Sequence, residues 1–236
     1  MNIHIKHIHQ KLVEIFWQKE ISPKILHEMI VTKSFLENQY ADGIKEIRMG
    51  YHSLSLKLSL DMSKQDAEEL LEEIQNIKLD QTAFSSKTWT LPVCYSKEMG
   101  KDLESLSKLH QMEIEEIISR HSTPEYLLYF YGFIPGFMYL GGLDDTLFTP
   151  RKSNPDRAIA AGSVAIGGYQ TGIYPNESPG GWHVIGNCPL PLFDIHQHPP
   201  VMPQVGDKVR FRSVEIIEYE EIKAMVNKGE FNWSHD

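Results

Sequence analysis

The stretch 132-GFIPGFMYLGGL-143 combines four glycines and a proline with aromatic and aliphatic side chains. Apolar side chains usually build a core, whereas glycine and proline usually interrupt helices and strands. Residues 132–186 hold 11 of the chain's 16 glycines. This concentration indicates backbone shapes, or close approaches, that a β-carbon would block. Two explanations stay open: tight corners between short strands, or loop backbone that comes close to a ligand.

The sequence around this stretch has the texture of short strands and turns. A strand at 89–95 and two short helices, near 102–110 and 113–120, precede it. The later strand candidates are bounded by Gly, Pro and Asn, and they lie at 126–133, 161–168, 182–186, 189–194 and 207–219. Short strands at such spacing predict a barrel or a sandwich.

The N-terminal part has a different pattern. A strand is predicted at 11–17, and Ser22-Pro23 is a good helix start, with Ser as N-cap and Pro in the first turn. A strand at 44–50 and a strictly alternating one at 53–60 follow, and then a helix capped by Asp61 or Ser63. We expect His4, His7 and His9 to lie in a frayed, solvated end.

The polar stretch 80-DQTAFSSKT-88 is a plausible linker between these two parts. The sequence therefore predicts an α+β chain of two domains. A small α+β domain spans residues 1–84, and a strand-rich domain spans residues 85–236.

Composition limits the classes of partner. The formal net charge is −9 and 41% of the residues are hydrophobic, which indicates a globular, acidic chain. Neither nucleic acid nor a membrane is expected as a partner, because both would need clustered Lys and Arg or a long apolar run. With two cysteines and no hydrophobic signal core, a cytoplasmic location is expected. We interpret Cys188 as structural.

Several common site motifs are absent from the sequence. It has no P-loop for ATP and no Gly-x-Gly-x-x-Gly dinucleotide fingerprint. Gly162-Ser163 lacks the flanking pattern of a nucleophile elbow. His196 and His198 lie in a proline-rich stretch and favour a surface loop over a metal site, so no metal ligands are expected on this chain.

The glycine-rich part resembles a known family. The motifs that carry the resemblance are 121-HSTPEY-126, 132-GFIPGFMYLGGL-143, 149-TPR-151, 162-GSVAIGGYQTGIYP-175, 178-SPGGWHVIGNCPLPLFD-194 and 205-VGDKVRF-211. They resemble the KipI family, which is also known as the 5-oxoprolinase B-subunit family or allophanate hydrolase subunit 1. The resemblance extends back to 11-KLVEIF-16 and so covers nearly the whole chain.

The resemblance implies a fold, an activity and partners. The second domain would be a cyclophilin-like β-barrel, with a cleft on one barrel face that a partner subunit closes. The implied activity is ATP-dependent opening of 5-oxoproline (pyroglutamate) to glutamate, as a non-autonomous subunit of a cyclic-amide hydrolase. The implied partners are a larger homologous C subunit, similar to allophanate hydrolase subunit 2, and a LamB/YcsF-like A subunit. ATP would be shared with a partner subunit, with Mg²⁺, and no biotin is expected on this chain.

Two other functions remain open. The chain could be a binding module that inhibits a histidine kinase, which would need an exposed apolar patch. It could also be half of a biotin-dependent carboxyltransferase that acts on urea or a similar amide.

Two candidate catalytic residues, His121 and Glu125, flank Ser122-Thr123-Pro124. They could meet and transfer protons if the segment turns. The alternative is that His121 lies at the C-terminus of the preceding helix, where a cation is favourable.

Other residues are candidates for binding a ligand. Arg151 could bind a carboxylate or phosphate through two parallel hydrogen bonds from its guanidinium, or form an ion pair with an acidic side chain of this protein. Polar side chains of the glycine-rich strands could orient a lactam by hydrogen bonds, or satisfy their own turns; these are Ser163, Gln170, Thr171 and Tyr174. The candidate pocket walls are Phe133, Phe137 and Trp182, together with Tyr139, although such residues are more often core.

Overall fold

The computed structural model describes residues 1–77 and 86–236 and divides the chain into two compact units, Met1–Phe84 and Ser85–Asp236. Of the predicted linker 80–88, residues 80–85 lie outside the described residues. The described part holds helices and largely antiparallel sheets in both units, with one parallel pair in the second, so the predicted α+β class is confirmed.

The first unit is a four-stranded sheet with two helices. Its elements are β1 (His4–His9), β2 (Leu12–Phe16), α1 (Pro23–Gln39), β3 (Ile44–Met49), β4 (Ser53–Leu58) and α2 (Lys64–Gln75), and the strand order is β1-β2-β4-β3. Alternation in β4 buries Leu54, Leu56 and Leu58, as the sequence predicts, but the strand ends at Leu58 and Leu60, the last leucine of the pattern, is exposed. Helix α2 begins with a capping box, in which Ser63 and Asp66 each bond the backbone N–H of the other.

The expectation of a frayed N-terminus is wrong. Residues His4–His9 form a strand that pairs with β2, and His7 Nε2 lies 2.8 Å from the carbonyl oxygen of Met62. Exposure alternates along this segment: Ile3, Ile5 and His7 face the sheet interior, whereas His4, Lys6 and Ile8 are exposed. This two-residue period is typical of a strand.

The second unit is built on a seven-stranded sheet and three α-helices. Its strands are β5 (Thr88–Val93), β6 (Glu125–Tyr131), β7 (Met138–Gly141), β8 (Asp156–Ile159), β9 (Ser163–Gly167), β10 (Gln170–Ile173), β11 (Ser178–Gly180), β12 (His183–Asn187) and β13 (Lys208–Ser213). The helices are α3 (Leu103–His110), α4 (Ile114–Ser122), a 3-10 turn (Asp145–Leu147) and α5 (Ile216–Lys228). The sheet order is β12-β9-β10-β7-β6-β13-β5, and β11 and β8 form a separate pair.

This sheet curls into a barrel. Its edge strands are β12 and β5, and they meet where Cys94, just after β5, bonds Asn187 at the end of β12. The two backbone hydrogen bonds of this bridge are both 2.9 Å long. The main core fills the interior with apolar side chains from the strands, and α3, α4 and α5 add Leu103, Ile117 and Ile222.

One predicted strand is wrong, and another is right only over its first half. Residues 189–194 form no strand, and the predicted strand 207–219 ends at Ser213, after which α5 begins at Ile216. Prolines at 189 and 191 remove backbone donors from the first segment. In the second, Tyr219 and Ile222 recur at helical spacing and are the buried residues of α5.

Candidate functional site

Four aromatic side chains cover the side of the barrel sheet opposite the main core. Along β7, Met138 points into the core, and Tyr139 points to the other side. Phe137 lies at the centre of the cluster, with ring centroids 4.9 Å from Tyr139, 5.0 Å from Tyr174 and 5.4 Å from Trp182. We call these four side chains the aromatic face.

A glycine of β9 makes the aromatic face possible. A Cβ at Gly167 would lie 2.5 Å from ring carbons of Trp182, closer than a side chain can approach. Since Trp182 is itself buried, it has little room to move away. At this position the glycine admits an aromatic ring, which is neither of the two explanations that the sequence suggested.

Arg151 lies at the edge of the aromatic face. Its Cζ is 5.5 Å from the ring centre of Trp182, which is the distance of a cation–π contact. Burial raises the pKa of Tyr139, and the Arg151 guanidinium opposes this through its charge and a hydrogen bond to the phenol. The guanidinium therefore rests on aromatic rings, while the Arg151 residue remains exposed.

The backbone of Arg151 is held in place by its neighbour Lys152. The Lys152 Nζ donates to both carboxylate oxygens of Asp102, at 2.9 and 2.7 Å, and to Asp156 at 2.7 Å. The Lys152 N–H donates to the carbonyl oxygen of Gly181 at 2.7 Å. Burial alone would lower the pKa of Lys152, but its two carboxylate partners raise it. Sequence patterns do not indicate the ion pair of Lys152 with Asp102, because the two residues are fifty positions apart and their spacing matches no motif.

His121 is a buried, fully bonded side chain. The Tyr95 hydroxyl oxygen lies 2.9 Å from the Nδ1 of His121, and the Thr171 hydroxyl oxygen lies 2.8 Å from its Nε2. The Thr171 hydroxyl donates to the carbonyl oxygen of Ala165, so it accepts from His121, and His121 Nδ1 in turn accepts from Tyr95. Burial lowers the pKa of His121 to about 3, so the ring is neutral at ordinary pH.

The predicted pair of His121 and Glu125 does not form. Glu125 begins β6 on the surface and binds Lys208 at 2.9 Å and Arg210 at 2.5 Å. These two cations lower the pKa of the Glu125 carboxyl. The last turn of α4 points His121 into the core, so the turn at Pro124 does not bring the two side chains together. The alternative is right about position, because His121 lies in the last turn of α4, but the ring there is buried and neutral and not a cation.

The other candidate ligand-binding residues fall in three places. Thr171 is buried against His121, as described above. Gln170 lies opposite Gly167 in the β9–β10 register, and strand alternation places it on the side of the aromatic face. Ser163 is 4% exposed and lines a cavity of about 210 Å³ beside Lys101 and Asn187.

The remaining candidates concern the aromatic rings and one cysteine. Tyr174 is part of the aromatic face, and burial raises its pKa to about 12. Phe137 and Trp182 are buried members of the same cluster, while Phe133 is 60% exposed at its margin. The Cys188 thiol is buried, which raises its pKa to about 12 and leaves it without the thiolate character of a nucleophile.

Neither a metal site nor a membrane span is found in the described part of the chain. Residues 1–77 and 86–236 contain no cluster of three His, Cys, Asp or Glu side chains that could hold a metal ion. Within the same residues, no helix has both the length and the apolar character needed to cross a membrane.

Comparison with known proteins gives one family and named relatives. The model of the carboxyltransferase domain, subdomains C and D, matches residues 3–203. The B subunit of 5-oxoprolinase from Bacillus subtilis is 42% identical over 164 residues, which are 70% of this chain and 67% of that protein. The B subunit of 5-oxoprolinase from Haemophilus influenzae is 41% identical over 173 residues, 73% of this chain and 81% of that protein.

Solved structures share the fold. The crystal structure of TTHA0988 matches with a TM-score of 0.74 and 27% identity, and the match covers 87% of this chain but 40% of that one. The K. lactis urea amidolyase matches with a TM-score of 0.84 over 99% of this chain, and this chain spans 16% of that protein. At 17% identity the second likeness shows the fold alone. The predicted barrel class is confirmed.

Proposed function

The chain belongs to the family of carboxyltransferase subdomains C and D, and we propose that it is the B subunit of an ATP-dependent 5-oxoprolinase. Its sequence resemblance to proteins named as the B subunit of 5-oxoprolinase, at 41–44% identity, supports this proposal. The name implies further subunits, and we assign these roles to a larger homologous C subunit and a LamB/YcsF-like A subunit.

The proposed reaction hydrolyses two bonds. The lactam C–N bond of 5-oxoproline opens to give glutamate, the terminal phosphoanhydride of ATP gives ADP and phosphate, and two water molecules are consumed. A lactam amide is poorly reactive, and a five-membered ring closes readily. Transfer of the γ-phosphoryl group to the amide oxygen would make the lactam carbonyl carbon more susceptible to attack by water and would couple the two hydrolyses.

The structural observation that carries the proposal is the position of Arg151. 5-Oxoproline has one carboxylate and one compact ring, so a site for it needs a fixed cation beside an apolar surface. Arg151 supplies a guanidinium that is exposed, anchored through Lys152 and backed by the ring of Trp182. The apolar surface would be the margin of the aromatic face, where Phe133 is exposed and Tyr139 is partly exposed, since its other members are buried. Gln170, which strand alternation places on the same side of the sheet, is the candidate to hydrogen-bond the lactam amide.

The candidate catalytic groups of this chain are already engaged by its own residues, which fits a subunit that does not act alone. His121 is neutral and enclosed, and the Glu125 carboxylate is engaged with two cations. We therefore propose that the groups that move protons and hold the phosphates of ATP, with its Mg²⁺, come largely from a partner subunit. Arg151 would bind the substrate carboxylate from this side.

Reconstitution tests the proposal. The chain would be mixed with homologues of the A and C subunits from the same organism, and glutamate and ADP would be measured with each component left out in turn. We expect both products to form in equal amounts only when all three proteins, ATP and 5-oxoproline are present. Glutamate formation without ATP, or a complete mixture that leaves 5-oxoproline intact, would overturn the proposal.

A further inference from the structure

An aromatic residue beside the aromatic face has a backbone conformation that aromatic residues rarely adopt. Phe133 has a φ of 64°, in the left-handed region. Among the described residues, the only other non-glycine with a positive φ is Gln111, which ends helix α3 in an ordinary left-handed C-cap. For a bulky side chain, this conformation is an outlier that costs free energy and needs support from its surroundings.

The loop around Phe133 imposes that conformation. The N–H of Ile134 donates to the carbonyl oxygen of Gly132 at 2.8 Å, which closes a three-residue γ-turn with Phe133 at its centre. A γ-turn with positive φ at its centre is the rare, strained form. Two further hydrogen bonds close the loop, from Phe137 N–H to the Ile134 carbonyl at 3.1 Å and from Gly132 N–H to the Phe137 carbonyl at 3.2 Å.

The strained turn exposes the ring that it carries. The Phe133 residue is 60% exposed, whereas Phe137 at the other end of the same loop is 1% exposed. The Phe133 ring still meets the aromatic face edge-on, with its centroid 5.7 Å from Phe137 and 6.4 Å from Tyr174. Burial therefore does not explain why a phenylalanine occupies this position, where glycine would be free of strain.

We propose that Phe133 is a substrate-contacting residue that determines specificity. Its ring would pack against the apolar ring of a small cyclic carboxylate whose carboxylate group is bound by Arg151. This inference rests on the proposed function and deepens it. The short loop fixes the direction of the ring before the ligand arrives, so little rotational freedom is lost on binding. The exposed edge of the ring extends the aromatic face beyond its buried members.

Four variants separate strain from contact. Phe133→Ala removes the ring and keeps a β-carbon at positive φ, whereas Phe133→Gly removes both the ring and the strain. Phe133→Tyr keeps a ring of the same shape. Gln111→Gly is the matched control, because it relieves the other positive φ, at the end of α3 rather than on the aromatic face.

Two measurements are made on each variant. The first is the melting temperature of the isolated chain, and the second is kcat and KM for 5-oxoproline in the reconstituted three-subunit complex. We expect Phe133→Gly to melt roughly 2–4 °C above Phe133→Ala, because only the glycine relaxes the turn. Both should raise KM by about tenfold, the contribution of one aromatic contact, with little change in kcat. Phe133→Tyr, which keeps the ring, should raise KM less than the two ring-less variants do, and Gln111→Gly should keep the wild-type KM.

A purely structural role would move the melting temperature and KM together, so that Phe133→Gly would restore both. That result, or unchanged KM values in both ring-less variants, would overturn the inference while leaving the proposed function intact. The same applies if the ring-less variants lose affinity for the partner subunits but keep a normal KM once assembled, since Phe133 would then contact protein. If the wild-type complex does not turn over 5-oxoproline, the proposed function fails, and this inference fails with it.

Discussion

Arg151 and Lys152 are adjacent cations with opposite surroundings. Lys152 is held by two carboxylates in a half-buried network, whereas the Arg151 guanidinium lies exposed over an aromatic ring. The chain has a net charge of −9, yet the Arg151 guanidinium is exposed and packs against an aromatic ring. This is not the usual environment of an arginine in a structural ion pair. The sequence left the choice between ligand contact and ion pair open for Arg151, and the structure places an aromatic ring under the guanidinium.

Arg151→Lys keeps the charge but loses the planar fork. If the guanidinium makes a bidentate contact with a carboxylate, we expect the variant to lose about 1.5–3 kcal/mol of transition-state stabilisation. That corresponds to roughly a ten- to hundredfold fall in kcat/KM of the reconstituted complex. The control is Arg212→Lys, an exposed arginine of β13 that pairs with Glu218.

For Arg151→Lys, the melting temperature and the affinity for partner subunits should stay near the wild-type values. A variant that instead loses stability or assembly, while the remaining complex turns over normally, would make Arg151 a structural residue and would move the substrate site elsewhere.

His121 predicts a pH dependence of stability. Its pKa is about 3 in the folded chain and about 6.5 in the unfolded chain. Between these values the unfolded state binds one more proton, so the free energy of unfolding falls as pH falls, by up to about 1.4 kcal/mol per unit. His121→Gln, which can still donate and accept a hydrogen bond, should lose less stability than wild type between pH 7 and pH 5.

Urea unfolding at these two pH values measures the effect. The expected difference between wild type and His121→Gln is about 2 kcal/mol. His196→Gln, which removes an exposed ring from the loop after β12, is the control and should behave as wild type. Equal pH dependence in wild type and His121→Gln would mean that the buried ring is protonated in the folded chain.

At the scale of elements, most local signals in the sequence gave the right element, whereas the pairing of distant segments could not be predicted from it. The Ser63 cap, the alternation of β4 and the two helices before β6 follow from neighbouring residues and were predicted. The closing of the barrel between Cys94 and Asn187 joins segments almost a hundred positions apart, and sequence spacing carries no record of that register. For the same reason, a spacing of four residues gave the wrong partner for His121.

The β9 strand gives a test of how the aromatic face is packed. Gly167→Ala would place a methyl group against Trp182, and because the ring is enclosed, we expect a loss of about 1–3 kcal/mol in unfolding free energy. Gly181→Ala is the control next to the same tryptophan, since its β-carbon would lie 3.5 Å from the nearest atom and make an ordinary contact. Urea denaturation of the two variants measures the difference. Equal stability would mean that Trp182 can leave its position without cost.

At the scale of the whole molecule, each unit has a core of its own. The first unit packs Val13, Leu56 and Leu70 among its buried residues, and the second closes its barrel around a separate cluster. We expect fragments 1–77 and 86–236 to fold independently, because each buries its apolar residues within itself. Circular dichroism of the two fragments checks this, and two unfolded fragments would show that the units depend on each other.

The central claim is that 5-oxoproline binds at the aromatic face beside Arg151, and hydrogen–deuterium exchange over the assembled complex tests it most directly. Exchange would be compared with and without 5-oxoproline across every peptide of this chain. We predict slower exchange on adding the lactam in the loop 132–137 and in residues 149–153, because ordering of these loops around a ligand protects their amides. Protection confined to peptides near Ser163 and Asn187, or no protection anywhere in this chain, would contradict the claim.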